Sequence, residues 1–199
     1  MRVLVACEYS GRVRDAFIAR GHDAISCDLL PTDADGPHFQ GDACDLLNDG
    51  WDLLIAHPPC TFLANSGVRH LHTNAKRWPE LFDAAALFRA FLNAPVPRIA
   101  VENPIMHKYG RELIRRGRAD QTIQPWMFGH PETKATCLWL KGLPPLKPTK
   151  DVKAEMEALP DAERHRIHHL PPSRDRWKLR STTFQGIADA MAKQWGDLA

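Results

Sequence analysis

Cys60 is the residue best placed for nucleophilic chemistry. It follows the apolar run Leu53–Ala56 and the pair Pro58-Pro59, two prolines that fix the backbone beyond a strand. A thiol on such a rigid segment acts as a nucleophile when a neighbouring group helps it to form thiolate. His57 is close in sequence, but strand alternation and the prolines leave the direction of its side chain open. The alternative is that Cys60 packs as a small apolar residue, as most buried cysteines do.

Glu102 is a second candidate for catalysis. It follows the strand-like run Arg98–Val101 and precedes Asn103 and Pro104. A carboxyl group at the rim of an apolar sheet is expected to have a raised pKa, which would let it donate or share a proton near neutral pH. Its strand is the next one after that of Cys60, with a predicted helix between, so the two strands should be adjacent and parallel. Thiol and carboxyl would then lie together; the alternative is a surface glutamate that caps a turn.

The first predicted turn and the acidic residues after it suggest an adenosine-containing cofactor. Glu8, Ser10 and Gly11 lie between a strand and a helix, where backbone N–H groups can approach a ligand. Asp28 ends the second strand 17 residues after Gly11, close to where an acidic residue commonly accepts the hydroxyls of a ribose. Asp42 is suited to bind an amino group. Each has a plainer alternative, because such turns occur without ligands and aspartates often cap turns.

All these residues follow predicted strands, so the architecture decides whether they meet. Strand-like runs alternate with helical patterns, which predicts an α/β fold with a mostly parallel sheet and helices on both faces. The last two strands lack a long helix between them and could pair as a hairpin, which would place one antiparallel strand in the sheet. Ligands of such sheets bind beyond the carboxyl ends of the strands, where the candidates collect. The predicted strands are 2–7, 23–27, 51–56, 98–101, 121–126 and 136–140, the helices lie between Gly11 and Gly21 and over 74–93, 112–116 and 186–195, and the loops are 33–41, 143–150 and 171–173.

Composition limits the classes of protein that fit. The chain has 199 residues, 44% of them hydrophobic and 25% charged, which is typical of one globular domain over 1–199. Five scattered cysteines without a C-x-x-C pair argue against a disulfide framework or a zinc site of that type, and for a reducing compartment. The first residues enter a strand without a signal peptide, and no apolar run reaches the roughly 18 residues of a membrane span. We therefore expect a cytoplasmic protein without a metal or a membrane contact.

Charge is distributed unevenly along the chain. The formal net charge is only +2, yet the stretches 108–118 and 164–180 are both rich in Lys and Arg. Two such stretches could form a local anion-binding face. The alternative is an ordinary solvated surface, because phosphate binding needs clustering in space.

Together these motifs resemble the cytosine-5 DNA methyltransferases. In that family a Pro-Cys dipeptide carries the nucleophile and a Glu-Asn dipeptide carries the carboxylate, which match Pro59-Cys60 and Glu102-Asn103. The segment 128–136 is similar to the late family segment with Gly-x-Pro and Gln-x-Arg-x-Arg, and 184–190 is similar to its closing Gly-Asn helix. The match covers most of the chain in the right order and looks closest to a small phage-type group of methyltransferase-like proteins.

The resemblance implies a Rossmann-like enzyme that uses S-adenosylmethionine to methylate carbon 5 of cytosine in DNA through a covalent Cys60 adduct. The DNA would be single- or double-stranded, a protein partner or a homo-oligomer is possible, and a phage-encoded protein would act in the host cytoplasm. The implied site residues are Cys60 and Glu102 for catalysis, Glu8, Ser10, Gly11, Asp28, Asp42, Pro58 and Gly186 for the cofactor, and Ser66, Asn103, Lys134, Arg174 and Arg176 for the substrate.

The chain departs from the family in three places. Glu8 and Ser10 stand where the first turn of the family has glycines, and Lys134 is the one cation left where the late segment has two arginines. The interval 141–183, about 40 residues, is proline-rich and basic and is too short for the target-recognition domain of the family. Its segment 171–176 is expected to hold phosphate instead. Two alternatives follow: modification of pyrimidine carbon 5 in a nucleotide, or a non-catalytic binder of nucleic acid or nucleotides on the same scaffold.

Overall fold

A computed structural model describes residues 1–198, and its centre is a seven-stranded sheet in the order β3-β2-β1-β4-β5-β7-β6. Six strands run parallel, and only β7, which pairs antiparallel with both β5 and β6, is reversed. This confirms the predicted α/β fold, including its one antiparallel strand. The strands are β1 (Arg2–Ala6), β2 (Asp23–Asp28), β3 (His38–Gln40), β4 (Leu53–Ala56), β5 (Arg98–Pro104), β6 (Gln121–Ile123) and β7 (Thr136–Lys141).

Helices cover both faces of the sheet. Two of them, α1 and α9, pack together on one face, and α3 and α4 cover the other. Within residues 1–198 none of the helices has the length and apolar character of a membrane span. The helices are α1 (Arg12–Ile18), α2 (Asn65–Val68), α3 (Arg77–Leu92), α4 (Lys108–Ile114), α5 (Lys153–Ala158), α6 (Asp161–Arg164), α7 (Arg166–His169), α8 (Arg176–Ser181) and α9 (Gln185–Gly196), with short 3-10 turns at Ala43–Leu46 and Pro125–Met127.

The central strands are apolar on both sides because both sides are covered. Along β1, Val3 and Val5 pack in the core with α1 and α9, and Leu4 and Ala6 pack in the core with α3. All four residues of β4 are fully buried. Continuous apolar runs are therefore what this sheet requires, and they hold the carboxyl ends of β1, β4 and β5 side by side.

Three predicted strands and one predicted loop need correction. The strand predicted over 98–101 continues to Pro104, so Glu102 lies within β5, where it pairs with Leu138. The loop predicted over 33–41 contains β3, a three-residue edge strand paired with β2 that is too short to show a periodic pattern. The strand predicted over 121–126 ends at Ile123, because Pro125 starts a 3-10 turn. The strand predicted from Trp51 begins at Leu53, its first paired residue.

Helix boundaries and the late segment also differ from expectation. The helix predicted over 112–116 begins at Lys108, because His107 caps it by accepting a hydrogen bond from the Gly110 amide at 3.1 Å. The helix predicted from Asn74 begins at Arg77. The interval 141–183 holds four short helices, α5 to α8, which were not predicted, whereas the loops predicted at 143–150 and 171–173 are free of helix.

Candidate active site

Cys60 lies just beyond the carboxyl end of β4. The backbone amide of His57 still donates to the Ala6 carbonyl at 2.9 Å, so the parallel ladder with β1 reaches this residue. Pro58 and Pro59 have no amide hydrogen and end the ladder. The Cys60 carbonyl then accepts from the Leu63 and Ala64 amides at 3.1 and 2.9 Å, which starts a turn. The thiol is therefore carried on a segment that is fixed on both sides.

The turn after Cys60 is tied to the chain that leaves β5. The Asn65 amide donates to the Ile105 carbonyl at 2.9 Å, and the His107 amide donates to the Leu63 carbonyl at 3.0 Å. The His107 ring adds a hydrogen bond from Nε2 to the Phe62 carbonyl at 2.7 Å. These bonds couple the position of Cys60 to that of the strand that carries Glu102.

A single cavity at the carboxyl edge of the sheet brings the thiol, the carboxylate and the first turn together. Its walls come from the ends of β1, β4 and β5, from Lys134, and from the end of α8 with the two residues after it. Six of the predicted site residues take part: Glu8, Ser10, Pro58, Cys60, Glu102 and Lys134. The remaining lining residues are Cys7, Tyr9, His57, Pro59, Pro104, Arg180, Ser181, Thr182 and Thr183.

Glu102 is paired with His57, a contact that sequence reasoning left open. Nδ1 of His57 lies 3.2 Å from Oε2 of Glu102, and the two side chains are 9% and 17% exposed. Because a carboxylate only accepts, Nδ1 carries the proton of this hydrogen bond. The other ring nitrogen, Nε2, is buried and has no hydrogen-bond partner among residues 1–198.

The expectation of a raised pKa for Glu102 is wrong. Burial acts to raise the pKa, but the hydrogen bond from His57 and the electrostatic effects of His57 and Lys134 outweigh it and hold the pKa below its ordinary value. Glu102 is therefore a carboxylate at neutral pH in the free protein. It can accept hydrogen bonds in the cavity, and it is not a proton donor at that pH.

Lys134 couples electrostatically to both Cys60 and Glu102. Burial and the charge of Glu102 raise the pKa of the Cys60 thiol, and the charges of Lys134 and Arg180 oppose that rise. Burial lowers the pKa of Lys134, although Glu102 and Cys60 act in the other direction. Its Nζ donates to the Thr182 carbonyl at 3.3 Å. Lys134 and Arg180 thus both favour the thiolate form of Cys60 inside the cavity.

Glu8 caps the first helix with its side chain. It is only 4% exposed, and its carboxylate accepts from the Val13 and Arg14 amides at 2.7 and 3.2 Å and from the Ser10 hydroxyl at 3.3 Å. These are amides that a glycine-rich turn would leave free for a ligand. Gly11 has a φ of +70°, a left-handed conformation that favours glycine.

Asp28 and Asp42 lie beside the cavity without lining it. The Asp28 carboxylate accepts from the Leu30 amide at 3.0 Å, and that of Asp42 accepts from the Cys44 amide at 2.9 Å. Both aspartates act with burial to raise the pKa of Cys7, which does line the cavity. The two aspartates therefore place negative charge near the first turn, and each of them also caps a turn.

Five other predicted residues are not brought into the cavity. Ser66 is exposed on α2 and Arg174 is exposed before α8, and one Arg176 nitrogen donates to the His168 carbonyl at 3.4 Å. Asn103 is fully buried, and its amide nitrogen donates to the Pro104 carbonyl at 2.6 Å. Gly186 packs at the start of α9, where an added Cβ would lie 2.0 Å from the Phe128 carbonyl oxygen.

Sequence reasoning missed the segment 178–183, which comprises the end of α8 and the two residues after it, as part of the site. Tyr9 ties it to the first turn, because its hydroxyl donates to the Lys178 carbonyl at 2.9 Å and lies 3.2 Å from the hydroxyls of Ser181 and Thr182. Arg180 and the residues up to Thr183 then form one wall of the cavity. These contacts join residues about 170 positions apart, so no local sequence pattern predicts them.

No family model matches the sequence, and neither does any curated protein. Several solved structures are similar. A protein described as a DNA modification methyltransferase encoded within a prophage (E. coli) has a TM-score of 0.48 and 16% identity over 81% of this chain and 56% of that one. The methyltransferase EhMeth of Entamoeba histolytica has a TM-score of 0.46 and 14% identity over 76% of this chain and 57% of its own. The Dnmt2 methyltransferase of S. pombe has a TM-score of 0.44 and 14% identity over 88% and 61%. This chain thus spans less than two thirds of the length of each.

Proposed function

We propose that this protein transfers a methyl group from S-adenosylmethionine to carbon 5 of cytosine in DNA through a covalent Cys60 adduct. The observation that carries the proposal is the shared cavity. It holds a thiol, a carboxylate and a cation, Cys60, Glu102 and Lys134, at the carboxyl edge of the sheet beside the first turn. An α/β sheet binds its ligands at this edge.

The thiol supplies the activation that cytosine needs. Carbon 5 is a poor nucleophile until the Cys60 thiolate adds to carbon 6 and moves electron density onto carbon 5. S-adenosylmethionine, when bound, would supply the electrophilic methyl group that carbon 5 accepts, with the bond between its sulfur and that methyl group broken and S-adenosylhomocysteine released. Loss of the carbon 5 proton to a base then breaks the bond between sulfur and carbon 6, which regenerates the thiolate and the aromatic ring.

Glu102 and Lys134 are proposed to act on the ring from two sides. An ionised Glu102 accepts a hydrogen bond from the 4-amino group, which cytosine has and thymine lacks. Lys134 stabilises the negative charge that develops on the ring as sulfur adds. His57 holds the Glu102 carboxylate in its ionised form and its orientation.

The residues around the first turn fit the charges of the cofactor. Its ammonium group and ribose hydroxyls suit the carboxylates of Asp28 and Asp42, which lie close to Cys7. Glu8 already occupies amides of α1, so the cofactor carboxylate would not bind there. The proposed cofactor residues are Glu8, Ser10, Gly11, Asp28, Asp42 and Pro58, with Gly186 acting through the packing of α9.

The proposed substrate residues divide by location. Lys134 lies in the cavity, and Asn103 supports it indirectly by holding the backbone of Pro104, which is a lining residue. Ser66, Arg174 and Arg176 lie outside the cavity and are proposed to contact the DNA around the target base.

The test is incubation with labelled S-adenosylmethionine and, in separate reactions, duplex DNA, single-stranded DNA and dCMP. We expect label in DNA, and a 5-fluorocytosine oligonucleotide should be trapped as an adduct that Cys60→Ser abolishes. Full activity of Cys60→Ser would overturn the mechanism. Label in dCMP alone would establish a nucleotide-modifying enzyme instead.

A non-catalytic binder is the second candidate, because the Glu8 carboxylate occupies the amides of α1 that a glycine turn would offer to the cofactor. Calorimetry with S-adenosylmethionine separates the two. No cofactor binding, together with retained binding of nucleic acid, would replace the methyl-transfer proposal by this one.

A further inference from the structure

The helix α8 presents two large apolar side chains to solvent. Trp177 is 48% exposed and Leu179 is 51% exposed. The ring of Trp177 contacts that of Tyr9, with centroids 5.6 Å apart, and Nζ of Lys178 lies 5.9 Å from its centroid, yet about half of the Trp177 side chain remains exposed. We call residues 174–180 the α8 surface.

Cationic side chains lie close to Trp177 in the sequence, and that of Lys178 lies over its ring. The α8 surface carries four of them and one carboxylate, Asp175. Lys178 pairs with Asp33 at 3.1 Å, whereas the other three cations make no salt bridge with any residue the structure describes. Those three are Arg174, Arg176 and Arg180.

The α8 surface also lies beside the reactive cavity. Tyr9 binds its carboxyl-terminal end through hydrogen bonds to Lys178 and Ser181. Arg180 lines the cavity, and its charge acts on the pKa of Cys60. An anionic chain that passes over Trp177 would therefore reach the mouth of the cavity.

This combination fits one class of ligand best. Single-stranded nucleic acid binds through bases stacked on aromatic side chains and phosphates held by cations. In duplex DNA the bases are stacked on each other, so the face of Trp177 would have no base to receive. The apolar centre of a protein–protein interface is usually depleted of charged residues. Here three arginines that make no salt bridge with any described residue lie close to Trp177 in the sequence.

We propose that the α8 surface binds single-stranded DNA, with Trp177 stacked on a base and Arg174, Arg176 and Arg180 holding the phosphates. If the proposed function is right, the base on Trp177 is a neighbour of the base that enters the cavity, and this part of the inference rests on the proposed function. The binding of single-stranded DNA to the α8 surface does not depend on it.

The experiment measures fluorescence anisotropy of a labelled single-stranded DNA oligonucleotide and of the same sequence as a duplex, without cofactor. We expect the single strand to bind more tightly, and Trp177→Ala to weaken it by about tenfold or more. Trp177→Phe should recover part of the affinity, because it restores an aromatic face. Circular dichroism and urea unfolding show that each variant is folded.

One matched control separates stacking on Trp177 from a general effect of removing an exposed aromatic side chain. Phe82→Ala removes an aromatic side chain that is 51% exposed on α3, outside the α8 surface. It should bind like the wild type. Equal affinity of Trp177→Ala and the wild type, or tighter binding of the duplex, would overturn the proposal.

The outcome is independent of methyl transfer. Trp177-dependent binding of the single strand by a protein that transfers no methyl group would support this inference and refute the proposed function. If Trp177→Ala left both methyl transfer and the affinity for single-stranded DNA unchanged, the proposed function would be supported and this inference refuted.

Discussion

At the residue scale, the neighbours of Cys60 and Glu102 in the cavity decide the direction in which each pKa is shifted. Burial raises the pKa of Cys60 and would raise that of Glu102, but the two groups meet different neighbours. His57 hydrogen-bonds the carboxylate, and Lys134 is a cation close to both. The site therefore favours an ionised Glu102 and needs Lys134 to bring the thiol towards thiolate.

Replacing His57 by alanine is expected to raise the pKa of Glu102. The variant loses the hydrogen bond and the electrostatic interaction that oppose the effect of burial, so the carboxylate should take up a proton at a higher pH than in the wild type. An NMR titration of carbon-13-labelled glutamate measures this, with the signal assigned by Glu102→Gln. His57→Asn, which keeps an N–H near the position of Nδ1, should give a smaller rise; an unchanged pKa in His57→Ala would contradict the pairing.

Lys134→Gln is expected to slow alkylation of Cys60 by iodoacetamide at pH 8. Without the cation the pKa of the thiol rises further, so less thiolate is present at that pH. Glu102→Gln should have the opposite effect, because it removes a charge that raises the same pKa. Mass spectrometry of the Cys60 peptide gives the rates, and Lys193→Gln, an exposed change on α9, is the control. Equal rates in Lys134→Gln and the wild type would show that the cation does not act on the thiol.

At the element scale, the site depends on the connections between strands rather than on the strands themselves. The turn after β4 is bonded to the chain after β5, so Cys60 and Glu102 hold a fixed relation. Within that turn Gly67 is tightly enclosed, since an added Cβ would lie 2.2 Å from the Thr61 carbonyl oxygen. Backbone cannot move aside there without moving the segment that carries the thiol.

Gly67→Ala is therefore expected to lower the free energy of unfolding by about 1–3 kcal/mol, the usual effect of overpacking. Urea unfolding measures the loss, and alkylation of Cys60 reports the accompanying shift of the segment. The control is Gly41→Ala, where the added Cβ meets the ring of Phe39, a side chain that is 37% exposed and can rotate away. If both variants unfolded at the same urea concentration, the enclosure of Gly67 would have no energetic consequence.

At the scale of the whole molecule, the two basic stretches serve different regions. In the stretch 108–118, Arg115 and Arg116 line a second cavity with Lys141. Lys141 pairs with Ile99 near the amino end of β5, the opposite edge of the sheet from Cys60. The stretch 164–180 includes the α8 surface at the reactive edge. The net charge of the whole chain, +2, does not reveal that positive charge is concentrated in these two stretches.

Salt dependence should identify the stretch that binds DNA. Three phosphate contacts on the α8 surface predict a slope of about −2 for the logarithm of the association constant against that of salt concentration. Arg174→Gln is expected to reduce the slope by about 0.7, and Arg118→Gln, in the other basic stretch, should leave it unchanged. Anisotropy titrations at several salt concentrations provide the slopes. The reverse pattern would place the DNA on the stretch 108–118.

The sequence by itself determined the architecture, because apolar runs bounded by turn residues are local signals that a covered sheet requires. It also placed Cys60 and Glu102 on neighbouring parallel strands, since consecutive strands joined by a helix tend to pair. Only the tertiary structure decided what surrounds them. The His57 contact reverses the pKa expected for Glu102, Glu8 caps α1, and Tyr9 draws the segment 178–183 over the cavity. Side-chain directions and contacts between distant segments depend on packing in three dimensions, and no periodic pattern in the chain encodes them.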